Sequence, residues 1–186
     1  MSEATGAQVE VVLVADQEPE VIWDLITDVS RIGEWSPECI GARWLEAAPP
    51  RPGARFEGRN DFGGGPTPPV TCVVTQAQRP DVFEWIVLDP TGSVASPGSI
   101  WRYELTPGGA PGQTTVLHRF THGPGMTGLS RGMQEDPASA EQILQDRLDT
   151  LRKHMTITLT AMAGSRPAGA RSGGSRSDGA GSDGAE

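Results

Sequence analysis

Cysteine, basic charge and long apolar runs are what this 186-residue chain has least of. Its two cysteines, Cys39 and Cys72, cannot build a disulfide framework, so they read as free thiols in a reducing compartment. No apolar run reaches the length of a membrane span and no secretion-type segment opens the chain, which points to the cytoplasm and to no membrane insertion. Lys and Arg number 15 against 24 Asp and Glu, and the formal charge of -9 lies before residue 163, because the stretch beyond it balances Arg166, Arg171 and Arg176 against Asp178, Asp183 and Glu186. An acidic domain of this kind argues against nucleic acid and anionic membrane surfaces as partners. Histidine is scarce too, and His118 and His122, four apart on a strand, stand about 13 Å from each other, too far to share a metal ion. Gly63-Gly64-Gly65 lacks the lysine and the following helix of a phosphate-binding loop, and no G-x-G-x-x-G follows the first strand, so no metal and no cofactor is expected.

What is there is a chain of 24 glycines and 16 prolines whose punctuation marks out short elements. Its longest periodic stretch runs from Asp136 to Met162, with Asp136-Pro137 as an N-cap and a proline at the first helical position. On a helical projection Leu144, Leu148, Leu151, Met155, Leu159 and Met162 fall in one arc. Gln145, Asp146, Asp149 and Lys153 fall opposite, with Asp149 and Lys153 at a pairing distance. A rod of roughly 39 Å suits a sheet better than a second short helix.

The remaining elements supply that sheet. Val9 to Val14 is β-branched enough for a first strand, Pro19 to Ile26 reads as a short helix, and Val29 to Trp35 as a further turn that Pro37 ends. From Cys39 to His122 six apolar segments broken by Gly and Pro form an antiparallel meander: Ile40 to Leu45, Arg55 to Asn60, Val70 to Gln76, Val82 to Leu88, Ile100 to Leu105 and Thr114 to Thr121. Alternation puts Phe83, Trp85 and Val87 on one face with Glu84 on the other, and Trp101, Tyr103 and Leu105 on one face with Arg102 and Glu104 on the other. The class is α+β, in the order β-α-α-β6-α, with a seven-stranded curved sheet wrapped around a long C-terminal helix. Residues 1–8 are expected to be a flexible N-terminus and 9–162 the folded domain. Residues 163–186 form a Gly/Ser/Arg/Asp tail too poor in apolar side chains to fold.

The runs Val21-Ile22-Trp23-Asp24-Leu25-Ile26-Thr27-Asp28, Gly33-Glu34-Trp35-Ser36-Pro37-Glu38-Cys39 and Pro52-Gly53-Ala54-Arg55-Phe56-Glu57-Gly58-Arg59-Asn60, with Trp101-Arg102-Tyr103 and the terminal helix, resemble the START-like (SRPBCC) superfamily. That superfamily includes polyketide cyclases and Bet v 1-like proteins, and the likeness is to its actinobacterial small-protein branch over residues 9 to 162. The resemblance implies a helix-grip fold with an elongated cavity for apolar molecules between sheet and helix. Lipid carriers, hormone receptors and aromatase/cyclases share that fold, so it does not choose an activity.

The candidate site residues follow from the faces. Val116, His118 and Phe120 share strand parity, as do Phe56 and Asn60. Trp85, Trp101, Tyr103, Phe120, Phe56, Asn60, His118 and Leu151 are the candidate cavity lining, and Trp23 and Trp35 are packing residues. His118 is either a general base or else a satisfied core histidine or a pocket-wall donor. Arg147 and His154 flank the apolar arc, as rim residues or as contacts for a ligand's polar end. Glu38 is the second acid-base candidate, a carboxylate that enters the pocket with a raised pKa or serves a loop hydrogen bond. Gly128-Leu129-Ser130-Arg131-Gly132 matches a nucleophile-elbow pattern, but its serine falls in a loop and Asp149 and His154 project from different sides of one helix, so the match is chance. Two functions compete: binding of a hydrophobic small molecule of lipid, polyketide or aromatic type, by a monomer or homodimer, or a polyketide aromatase/cyclase reaction using the cavity's acid-base groups.

Overall fold

The computed structural model of this chain describes residues 4–47 and 50–166. A first strand, β1 (Gln8–Ala15), leads through α1 (Pro19–Thr27) and a 3-10 helix (Val29–Glu34) into six strands: β2 (Cys39–Trp44), β3 (Arg55–Asn60), β4 (Val70–Gln78), β5 (Val82–Val87), β6 (Ser99–Pro107) and β7 (Thr114–His122). Each strand from β2 to β7 pairs antiparallel with the next, and β1 closes on β7, giving the sheet order β1-β7-β6-β5-β4-β3-β2. Two helices follow, α2 (Gly128–Glu135) and α3 (Ala140–Ala163). The α+β helix-grip reading therefore holds, with one helix more than the sequence pattern gave.

Alternation assigns the two faces of the sheet as expected. The outer face carries a polar ladder in which Arg102 donates to Glu84 (2.9 Å), Glu104 (2.6 Å) and Gln76 (2.8 Å). The inner face carries the core: Phe56, Val74, Phe83, Tyr103, Leu105 and Val116 are buried with Ile22, Trp23, Leu25 and Ile26 of α1 and Leu159 and Met162 of α3. Burying one such side chain stabilises the fold by about 1.5–3 kcal/mol, which is what holds α1 and α3 against the same face. Trp23 and Trp35 are buried packing residues, 3% and 6% exposed. The 3-10 helix lies tight on β2: a Cβ on Gly33 would meet the Ile40 carbonyl oxygen at 2.7 Å, so only glycine allows that approach.

Several expectations need correction. The C-terminal helix does not run unbroken from Asp136; Asp136 accepts a hydrogen bond from the Ser139 N–H (3.3 Å) and so caps a single 3-10 turn, Pro137–Ser139, ahead of α3. The helix α2, read from sequence as loop, forms despite Gly128 and Gly132, each costing about 1 kcal/mol in a helix. Thr127 caps it by accepting the Ser130 N–H (3.1 Å), and Met133 is buried with Ala140 and Ala4 against Leu129, Ile143 and Leu144. Tertiary packing outweighs propensity here. On α3, Asp149 accepts from Gln145 (2.9 Å) instead of pairing with Lys153. Leu151 is buried, whereas Leu148 is only half-buried.

Both ends of the folded unit reach further than expected. Ala4 is buried, and Ala4–Ala7 makes a turn in which Gly6 donates to the His122 carbonyl and His122 to that of Ala7, each at 2.9 Å. At the other end Trp35 donates to Ser165 Oγ (2.9 Å) and Arg31 to the Arg166 carbonyl (2.6 Å), so the chain is docked through Arg166. The rest of the tail, residues 167–186, and the first three residues lie outside the described residues. Both cysteines are free thiols. Among the described residues no helix is long and apolar enough to cross a membrane.

Candidate functional site

The inner face of the sheet is lined by rings that touch in sequence across five strands. Trp44 meets Phe56 at 5.3 Å, Phe56 meets Trp85 at 5.9 Å, Trp85 stacks on Trp101 at 6.2 Å with planes 6° apart, and Trp101 meets Phe120 edge-on at 4.9 Å. Tyr103 stacks on His118 at 4.0 Å, beneath Trp85 and Trp101. The register makes this wall: Phe56 pairs with Cys72, which pairs with Val87, while Trp85 opposes Trp101, Trp101 opposes Phe120, and Tyr103 opposes His118, so every ring points to the helix side. Leu151 and Met155 of α3 press on Phe120 and Val9 at the β1–β7 side. Trp85 and Trp101, in the middle of the sheet, keep part of their surface accessible.

The wall carries polar atoms that no protein group satisfies. His118 is 4% exposed and both ring nitrogens are buried without a hydrogen-bond partner among the described residues. Burial pushes its pKa down to about 3, so the ring is neutral at physiological pH. The Tyr103 hydroxyl, also buried, is pushed above its usual range by desolvation. Trp101 donates to Ser99 Oγ at 3.1 Å. An unpaired buried imidazole costs about 1–3 kcal/mol.

A second set of groups lines a recess of about 300 Å³ whose mouth lies between the start of β2, the β3–β4 loop and α3. Pro37 and Glu38 reach it from the start of β2, Asp61, Phe62 and Gly63 from the β3–β4 loop, and Arg147, Thr150 and His154 from α3. Arg147 donates through both terminal nitrogens to the Glu38 carboxylate, the Nη2–Oε2 bond measuring 2.9 Å, and His154 Nδ1 lies 2.9 Å from Glu38 Oε1. The Arg147 guanidinium also lies 5.2 Å from the Phe62 ring centre. The expectation of a raised pKa at Glu38 is overturned. Burial alone would raise it, but the Arg147 hydrogen bond and charge, with His154, outweigh burial and hold the carboxyl below its usual range.

The structure thus brings Phe56, Trp85, Trp101, Tyr103, His118 and Phe120 into one wall and joins Glu38 to Arg147 at the mouth. Leu151 lies in the core beside the wall, and Asn60, half-buried on the Phe56 face, uses its carbonyl to hold Thr67 (2.8 Å from N, 3.1 Å from Oγ1). Sequence reasoning missed Asp61, Phe62 and Thr150. Phe62, 59% exposed inside a Gly-rich turn, was the available signal, since burial does not explain a phenylalanine there. Ser130 lies in the first turn of α2, not in a loop. It is 1% exposed and its neighbours are Thr127 Oγ1 (3.0 Å) and His122 Nε2 (3.5 Å), with His122 Nδ1 turned to the Gly123 carbonyl (2.7 Å). Among the described residues no acid orients that histidine, and the group ties β7 to α2. Among the described residues no cluster of His, Cys, Asp or Glu could hold a metal ion.

Comparison with solved structures finds the same fold in proteins of low identity. A polyketide-cyclase-like protein of Corynebacterium glutamicum is 22% identical over 86% of this chain and 90% of its own, with a TM-score of 0.61. The Zhui aromatase/cyclase of Streptomyces sp. R1128 is 14% identical over 84% and 91%, also at 0.61. The di-domain aromatase/cyclase StfQ of the steffimycin biosynthetic pathway is 10% identical over 87% of this chain and 51% of its own, at 0.66. No curated protein matches the sequence. The family model described as "Polyketide cyclase / dehydrase and lipid transport" matches residues 6–156, and the chain belongs to that family.

Proposed function

We propose that the protein binds a flat hydrophobic small molecule, of lipid, polyketide or aromatic type, between the tryptophan wall and α3. The observation that carries this reading is the partial exposure of Trp85 and Trp101 on the face that α3 otherwise covers. A stacked indole pair offers a planar molecule large apolar contact at little entropic cost. The aromatase/cyclase neighbours agree with such a cleft without fixing a reaction. Proton transfer by His118 is disfavoured, because a base with a pKa near 3 is too weak to take a proton at neutral pH.

The test is titration with Nile red. Binding should be saturable, should quench tryptophan emission and should be reversed by flat aromatic molecules. His118→Phe should keep apolar binding within a few-fold. Turnover of a polyketide substrate that is lost in His118→Phe by roughly 10²- to 10⁴-fold would establish the cyclase reading instead.

A further inference from the structure

The recess at Glu38 has a hydrogen-bonding polarity that the aromatic wall does not explain. Glu38 is ionised at neutral pH, and a carboxylate can only accept, so the hydrogen between it and His154 resides on Nδ1. That hydrogen bond selects the ring tautomer whose Nε2 is a bare acceptor, and no described residue donates to it. His154 keeps 26% of its side chain exposed and lines the recess. Arg147, the one guanidinium in the lining, is spent: both of its terminal nitrogens hold Glu38. The lining also contains a second carboxylate, Asp61, whose Oδ1 accepts the N–H groups of Gly63 (2.8 Å) and Gly65 (3.1 Å). Two carboxylates against one occupied guanidinium make the recess hostile to an anion and receptive to a hydrogen-bond donor.

We infer that Glu38, Arg147 and His154 form a head-group site that selects apolar ligands ending in a hydroxyl, such as a phenol, enol or alcohol, and rejects those ending in a carboxylate. The ligand's O–H donates to His154 Nε2, Glu38 orients and polarises the imidazole from the other side, and Arg147 holds Glu38 in place. Phe62, exposed beside Arg147, provides an aromatic surface at the rim for the ring that bears the hydroxyl. The assignment rests on the cleft reading above and adds the chemistry of the ligand's polar end.

The experiment compares naphthalene, 2-naphthol and 2-naphthoate by quenching of tryptophan emission in the full chain, in His154→Phe and in His154→Asn. The asparagine amide nitrogen can keep the bond to Glu38 while the acceptor at the more distant Nε2 position is lost, so this variant remains informative if phenylalanine perturbs folding. In the wild type 2-naphthol should bind about fivefold to tenfold tighter than naphthalene, the range expected for one oriented hydrogen bond, and 2-naphthoate no tighter than naphthalene. Both variants should lose the naphthol advantage, read within each variant as the ratio of 2-naphthol to naphthalene affinity. If naphthalene itself fails to bind, the cleft reading falls and takes the head-group assignment with it. If naphthalene binds but 2-naphthol binds no tighter, if 2-naphthoate binds tightest, or if the variants keep the naphthol advantage, the cleft stands and the head-group assignment alone is overturned.

Discussion

Replacing Glu38 with glutamine keeps the shape of the side chain and removes its charge, which tests whether the mouth cluster holds β2 to α3. In the wild type this carboxylate, 13% exposed, accepts two hydrogen bonds from Arg147 and one from His154. Glutamine turns one acceptor into a donor facing other donors and leaves the Arg147 charge without a partner. For a fully buried pair such a loss would be about 3–5 kcal/mol. Arg147 keeps 27% of its side chain exposed, so water takes over part of the interaction and the expected loss falls to about 2 kcal/mol. At about 2–4 °C per kcal/mol for a domain of this size, the melting temperature should drop by about 4–8 °C at pH 7. The dependence on acid has a definite sign. The folded Glu38 carboxyl lies below its ordinary value of 4.5, so its contribution is complete above that pH and is lost as pH falls through the folded value. The difference between wild type and Glu38→Gln should therefore shrink as pH falls from 4.5 through the folded value. Circular-dichroism melts at pH 7 and pH 3 measure both effects; melting within one degree of wild type at pH 7 would refute the idea that the cluster carries structural energy.

Other outcomes follow from individual side chains. Leu151→Asp places an unpaired charge at a position 1% exposed against Phe120 and should largely prevent folding, whereas Leu148→Asp, half-buried, should fold with a lowered melt; a native melt for Leu151→Asp would mean the helix face is misassigned. His118 resists protonation in the folded state but not in the unfolded chain, so stability should fall as pH drops from its ordinary value of 6.5 toward about 3, and His118→Phe should flatten that slope in melts recorded across the range. Gly33→Ala should destabilise by more than the usual cost of a surface change, because the obstructing atom is a backbone oxygen; an unchanged denaturation midpoint would contradict the close approach. Cys39 and Cys72 should each react once with a thiol reagent after denaturation, and intact mass showing them linked would contradict the reducing-compartment expectation.

The sheet was legible because its signal is local. Phe83-Glu84-Trp85-Ile86-Val87 and Trp101-Arg102-Tyr103 alternate with period two, and the face they predict is the face observed. The arc Leu144 to Met162 was legible for the same reason with period 3.6. The helix α2 was not, because Gly128 and Gly132 oppose it and only Thr127 and the packing of Met133 on α3 rescue it. The mouth cluster was half legible: Glu38, Arg147 and His154 each stood out, but their meeting spans 109 and 116 residues of sequence and no local pattern encodes it. That is also why the direction of the Glu38 shift came out wrong. Burial could be guessed from the sequence, while the arginine that outweighs it could not.

The claim that a ligand lies between the tryptophan wall and α3 is tested most directly by the indole N–H signals of the five tryptophans in a ¹H–¹⁵N correlation spectrum of the full chain, recorded with increasing naphthalene and assigned by single Trp→Phe variants. The account predicts saturable shifts of Trp85 and Trp101 that exceed those of Trp23, one ring further away behind Phe83, and of Trp35, whose indole N–H is held by Ser165. No shift at saturating naphthalene, or shifts confined to Trp23 and Trp35, would contradict it.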